Sequence, residues 1–344
     1  MNAARLHEYH QALKLDQVDE PKATGPFDVV VKIGAAGLCR TDLHIQEGQW
    51  AEKSGVELPY VPGHENAGWI HEVGSGVTNV EVGDTVIVHP LVTCGLCRAC
   101  RAGDDVHCTN SMFPGISTDG GFAELLKTTA RSVVKLDPSL HPKDIAALAD
   151  AGLTAYHAVK KAAAILNPGS RAVVIGAGGL GHIGIQCLKA MTPAEIIVID
   201  PSERARALAG EIGADATVAA DGKQVDTILE MTDGLGAEAI IDFVGERGVI
   251  PEGVAMLRQA GSYYVIGYGE NVNVPTIDII SREINFIGNL VGSYNDLSEL
   301  MTLTAQGKVS LHTSGYPLDA VNDAMADLDQ GRLQGRGILV ADAA

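Results

Sequence analysis

The chain has 344 residues, 46% hydrophobic and 20% charged, enough for two domains that each bury a core. Lysine and arginine number 25 against 43 aspartates and glutamates, and the net charge of −18 argues against nucleic-acid and membrane-surface binding, since it repels phosphate backbones and anionic lipid. No apolar run reaches the length of about 18 residues that a membrane span needs. The opening segment, with Arg5, His7, Glu8, His10, Lys14 and Asp16, has no apolar stretch of the signal-peptide kind, so a cytoplasmic location is expected.

Short apolar runs at 27–33, 67–71 and 85–89 are separated by glycines, and Val29, Val31 and Ile33 share one strand face by period-two alternation. This is the pattern of a small β-rich domain. An Ala- and Leu-rich stretch follows at 144–164, with a helix expected to start near Asp144. From 171 a second rhythm begins. Buried strands are expected at 171–175, 196–199, 217–219, 239–243, 263–266 and 284–287, with helices at 182–191 and 203–212 among the intervening segments. That alternation predicts an α/β doubly wound parallel sheet. A further helix at 297–305 and a terminal run at 337–340 complete the chain, and the last segment is expected to return to the first domain.

Four of the six cysteines, Cys94, Cys97, Cys100 and Cys108, lie within fifteen residues. Clustered thiols in a long chain without an export signal read as metal ligands rather than as disulfide partners. Four thiolates close a tetrahedral Zn²⁺ shell with no open position, which is a structural site; an iron–sulfur cluster is the competing metal.

After the expected strand at 171–175 come Gly176, Gly178, Gly179, Leu180 and Gly181, a G-x-G-x-x-G turn opening a helix. Gly176 allows the tight turn, Gly178 lets backbone approach a pyrophosphate, and Gly181 lets the helix pack closely on the strand. Asp200 ends the next strand about twenty residues on, where a carboxylate accepts from ribose hydroxyls and repels a 2′-phosphate, favouring NAD over NADP. Arg204 and Arg206 are expected on the exposed face of the following helix, and His182 and Cys187 as packing residues within theirs.

Cys39 in Gly37-Leu-Cys39-Arg40-Thr41-Asp42-Leu-His44 and His64 in Pro62-Gly63-His64-Glu65 are each unremarkable alone. Together with the cysteine lobe, Val82-Gly83-Asp84, Asp150-Ala-Gly-Leu-Thr154 and the turn at 176–181, in this order, they make the chain resemble the zinc-dependent medium-chain alcohol dehydrogenases along nearly its whole length. The likeness is nearest to bacterial NAD-using secondary alcohol dehydrogenases. It implies a GroES-like β-rich catalytic domain at 1–148 and 288–344, carrying the zinc lobe at about 93–110, and a Rossmann NAD-binding domain at 149–287.

The resemblance further implies two Zn²⁺ per chain. Cys39, His64 and Asp150 would hold the catalytic ion, with Glu65 beside them as an outer or exchanging ligand. Many members carry cysteine where this chain has Asp150. Thr41 would hydrogen-bond the reacting oxygen and pass its proton through the nicotinamide ribose to His44. Arg40 and Arg336 would meet the coenzyme pyrophosphate. Thr154, Phe243, Ile266 and Leu290 would border the nicotinamide, and Trp50, Val92, Met112, Phe113 and Tyr294 would line an apolar or aromatic substrate pocket. The implied reaction is reversible hydride transfer between a primary or secondary alcohol and NAD, in a homo-oligomer, a tetramer before a dimer. A polyol or amino-alcohol dehydrogenase of the same superfamily is the alternative, and a catalytically silent NAD- and zinc-binding protein a more distant one.

Overall fold

The computed structural model describes residues 1–333 and 335–340, and the chain divides into two compact units: 1–153 with 293–344, and 154–292. In the first, strand Asp28–Leu38 is the spine of a seven-stranded sheet. Glu65–Val73 pairs antiparallel along one of its edges. The other edge is shared, residues 28–32 pairing with Leu125–Thr129 and residues 35–38 with Arg336–Val340. Thr85–Val88, Val133–Lys135 and Thr313–Pro317 complete the sheet. The strand at 336–340 thus joins the strand that leads into Cys39. Val29, Val31, Leu38, Ile70, Val86, Phe122 and Leu339 are among the buried side chains of this core.

The second unit holds six parallel strands in the order Ala216–Ala219, Glu195–Asp200, Arg171–Ile175, Ala237–Asp242, Leu257–Val265 and Asn285–Gly288. This is the doubly wound dinucleotide order, in which each half of the sheet serves one mononucleotide. Its central strands read as unbroken apolar runs because both faces are covered: Val173, Ile197 and Ile240 are fully buried.

The helix expected from Asp144 begins later. Pro142–Asp144 and Ala146–Ala149 are 3₁₀ turns, and the α-helix is Ala151–Ala163. Asp150, at φ −127° and ψ −59°, interrupts the helical path. Asp150 falls in the first unit with Cys39 and His64, whereas a boundary at 149 groups it with the nucleotide domain. The strand expected at 263–266 starts at Leu257; its polar first half, which includes Ala260 at φ +55°, hides it from an alternation test.

Candidate active site and zinc lobe

Strand Asp28–Leu38 delivers Cys39 to the N-cap of helix Arg40–Gln46. Asp42, three residues on, closes a capping box: one carboxylate oxygen accepts the Cys39 amide at 2.8 Å. The other lies 3.3 Å from His64 Nδ1, so Asp42 bears on two expected ligands at once. His64 follows Gly63, whose φ of +97° and whose closeness to the Phe122 ring exclude a side chain there. On its far side His64 Nε2 lies 3.5 Å from Asp150 Oδ2, and its ring meets Phe113 edge-on at 5.9 Å.

Glu65 opens strand Glu65–Val73 and is wholly buried. Its Oε1 accepts from the Ala151 amide at 3.1 Å and from the guanidinium of Arg336. A Cβ on Gly37 would stand 2.0 Å from Glu65 Oε2, so glycine at 37 makes the room that this carboxylate occupies.

One donor atom from each of Cys39, His64, Glu65 and Asp150 lies within 4.8 Å of the others. Both His64 nitrogens and Glu65 Oε2 are buried without a hydrogen bond. Burial alone would depress the His64 pKa, but Asp42, Asp150 and Cys39 outweigh it and raise the value well above the usual range. Burial raises the Glu65 pKa against the opposing charges of Arg336 and His64. So many acidic groups around a buried imidazole call for a cation, and one thiolate, one imidazole and a carboxylate suit Zn²⁺.

The remaining expected residues fall as follows. Arg40 is exposed at the helix start, while Thr41 and His44 are half-buried and, three apart, share a helix face. The resemblance puts Arg336 at a pyrophosphate; in the structure its guanidinium is buried and donates to Glu65 Oε1. Trp50 packs on the core with Lys53 over its ring. Val92 and Met112 pair through their backbones. The Tyr294 hydroxyl donates to the Val133 carbonyl and its amide to Asp105, which makes it a brace; Phe113 is the pocket candidate that touches His64. Sequence reasoning passed over Asp42 and the Glu65–Arg336 pair. The spacing Cys39-x-x-Asp42 is a capping-box signal that points to the first; nothing local points to a pair 271 residues apart.

In the lobe, Cys94, Cys97, Cys100 and Cys108 bring their sulfurs within 4.8 Å of one another, and none is in a disulfide. The Cys94 and Cys100 sulfurs are 4.0 Å apart. That is close to the edge of about 3.8 Å of a Zn–S tetrahedron. Amides of Cys94 and Asn110 point at Cys108 Sγ, and those of Leu96 and Cys97 at Cys94 Sγ, favouring thiolates. Asp105 ties the lobe to the Tyr294 amide at 2.9 Å. The residues fit a closed structural zinc site.

In the second unit, Gly176 has φ +89°, Gly178 is exposed with open space around its Cα, and a Cβ on Gly181 would stand 1.9 Å from the Gly176 carbonyl. Asp200 holds this turn: its two oxygens accept from the Ala177 and Ser202 amides, each at 2.8 Å. Arg204 is exposed and Arg206 half-buried, the Arg206 guanidinium donating to the carbonyls of Asp200 and Pro201. The Phe243 ring packs against Gly184 of helix Gly181–Met191, the Ile266 amide bonds the Asp242 carbonyl, Leu290 is exposed and Thr154 half-buried.

A unit that pairs a thiolate–imidazole–carboxylate cluster with a four-thiol lobe, followed by a dinucleotide sheet, defines a class of metal-assisted dehydrogenases. The comparisons agree. The alcohol dehydrogenase GroES-like domain matches residues 25–138 and the zinc-binding dehydrogenase domain residues 179–306. The chain belongs to the zinc-dependent medium-chain alcohol dehydrogenase family. It is 38% identical to a D-arabinose 1-dehydrogenase (NADP(+)) of Saccharolobus solfataricus over 98% of this chain and 97% of that protein. It is 36% identical to an NAD-dependent alcohol dehydrogenase of Sulfurisphaera tokodaii, covering 99% and 100%. A solved alcohol dehydrogenase from Aeropyrum pernix superposes with a TM-score of 0.95 at 47% identity, covering 99% of this chain and 100% of that one.

Proposed function

We propose that the protein oxidises simple primary or secondary alcohols, reversibly, with NAD as hydride acceptor. The observation that carries this is the cluster of Cys39, His64, Glu65 and Asp150, whose donor atoms lie within 4.8 Å of one another while both His64 nitrogens and Glu65 Oε2 are buried without a hydrogen bond. A Zn²⁺ held by Cys39, His64 and Asp150 would supply Lewis-acid stabilisation of negative charge on the substrate oxygen. The Thr41 hydroxyl would accept the alcohol proton as it gives up its own toward His44, on the same helix face, which releases a proton to solvent. Asp42 faces His64 Nδ1 at 3.3 Å, which leaves Nε2, on the Asp150 side, as the nitrogen that would ligate the ion. Glu65, pinned through Oε1 by Arg336, keeps Oε2 available as an exchanging ligand.

The named relatives divide between NADP and NAD. Asp200 favours NAD here, because its carboxylate sits at the strand end and Arg206 is committed to backbone carbonyls instead of a phosphate. The D-arabinose relative gives a second reading, oxidation of a sugar or polyol. Phe113, edge-on to His64, offers an apolar wall that supports the simple alcohols instead.

A homo-oligomer, tetrameric, is part of the proposal. Among the described residues strand Asn285–Gly288 ends the sheet, and Ile277 and Ile280 on helix Thr276–Arg282 are 65% and 70% exposed, a surface suited to a second copy. No helix among the described residues is long and apolar enough to cross a membrane; a cytoplasmic location, where the thiols proposed as zinc ligands stay reduced, belongs to the proposal. Zinc per chain by elemental analysis is the test, alongside NAD reduction with 2-butanol, 1-phenylethanol, benzyl alcohol, sorbitol, threonine and D-arabinose. About two zinc ions and fastest turnover on the simple alcohols support the reading. One zinc and no turnover on any of them refutes it, and fastest turnover on D-arabinose or sorbitol selects the second.

A further inference from the structure

Asp242 ends strand Ala237–Asp242 and is fully buried, yet it accepts hydrogen bonds on every side. One carboxylate oxygen takes the amides of Val244 at 2.8 Å and Gly245 at 3.0 Å; the other takes the Tyr263 hydroxyl at 2.8 Å. Its main-chain carbonyl takes the amides of Ile266 at 3.1 Å and Gly267 at 2.9 Å. A single residue therefore gathers the loops at 243–245 and 266–267 and the strand between them. The loops also touch directly, since a Cβ on Gly245 would stand 2.1 Å from the Gly267 carbonyl oxygen.

Burying a carboxylate is costly, and an apolar side chain would serve if this position needed only packing. Burial raises the Asp242 pKa, while the two loop amides and Tyr263 oppose that shift by bonding the charged form. The loops it organises lie at the carboxyl ends of strands Ala237–Asp242 and Leu257–Val265, where ligands of doubly wound sheets bind. Those strands, with Asn285–Gly288, form the second mononucleotide half of the sheet; the glycine turn and Asp200 belong to the first.

We propose that Asp242 is a positioning residue for the nicotinamide half of the coenzyme, locking loops 243–245 and 266–267 into the arrangement that receives it. The proposal rests on the dinucleotide reading above. Its test is calorimetric binding of NAD and of AMP to the full-length protein and to Tyr263→Phe and Asp242→Asn. Tyr263→Phe keeps the ring that packs on Phe286, so the core survives. It should weaken NAD by about tenfold and leave AMP unchanged, with a larger loss of NAD in Asp242→Asn. Unchanged NAD affinity in both variants, or equal loss of NAD and AMP, overturns the proposal. A native protein that binds neither ligand overturns the dinucleotide reading itself, a result distinct from both.

Discussion

Asp42 stands between Cys39 and His64, accepting the amide of the first at 2.8 Å and facing Nδ1 of the second at 3.3 Å. The helix cap and the ligand orientation are therefore one structure. Removing such a partner of a metal-binding histidine typically weakens metal by 10–100-fold, on the order of two factors of ten at most. Asp42→Ala should accordingly release one zinc per chain to a mild chelator and keep the lobe zinc. Retention of both ions at the native chelator midpoint counts against this arrangement.

Asp150→Cys tests the carboxylate in the cluster. A thiolate donates more electron density than a carboxylate, so zinc content should hold while alcohol oxidation slows several-fold and its acidic limb moves to higher pH. Metal analysis and a pH–rate profile measure both; an unchanged profile would show that the choice of ligand is without consequence.

The lobe thiols differ sharply. Amides of Cys100 and Thr109 bring the Cys97 pKa down to about 6, whereas burial and the neighbouring Cys97 push Cys100 up to about 12. After chelation of the lobe metal, Cys97 should be alkylated first by iodoacetamide, with a rate that falls as pH drops through about 6 because the thiolate is lost. Peptide mapping of the label reads the order; Cys100 labelling ahead of Cys97 at pH 7 would contradict it.

Gly37→Ala would place a methyl group 2.0 Å from Glu65 Oε2. Overpacking of this kind costs about 1–3 kcal/mol. The melting temperature should fall by roughly 5 °C and Glu65 should shift from its Arg336 partner. An unshifted melting curve would mean that Glu65 yields freely.

Asp200→Gly should raise the relative use of NADP, yet at a cost to the fold. The Ala177 and Ser202 amides lose their acceptor, worth about 1–3 kcal/mol where the site stays buried. Lower NAD affinity together with lower thermal stability is expected, measured by coenzyme titration and melting; a switch without destabilisation would show the turn to be held by other contacts.

Much of this was legible along the chain. The continuous apolar runs around Val173, Ile197 and Ile240 announced a sheet buried on both faces, and the glycine turn with Asp200 announced its ligand end. The four cysteines announced their lobe because all its donors are local. The helix starts at Ala151 and not near Asp144, because the helix preference of the alanines and leucine at 146–149 is overridden by the backbone at Asp150. Arg336 and Glu65 were not legible as a pair: they meet only because the strand at 336–340 lies beside Asp28–Leu38, a pairing no local pattern encodes.

That same pairing orders events in time. During synthesis Cys39, His64, Glu65 and Asp150 all emerge long before Arg336, so a nascent chain owns every proposed ligand of the catalytic metal while Glu65 lacks the cation that balances it. A carboxyl buried without its counter-charge favours its protonated form, as burial already pushes Glu65 that way. Arg336, the last of these groups to be made, is the largest charge opposing that shift.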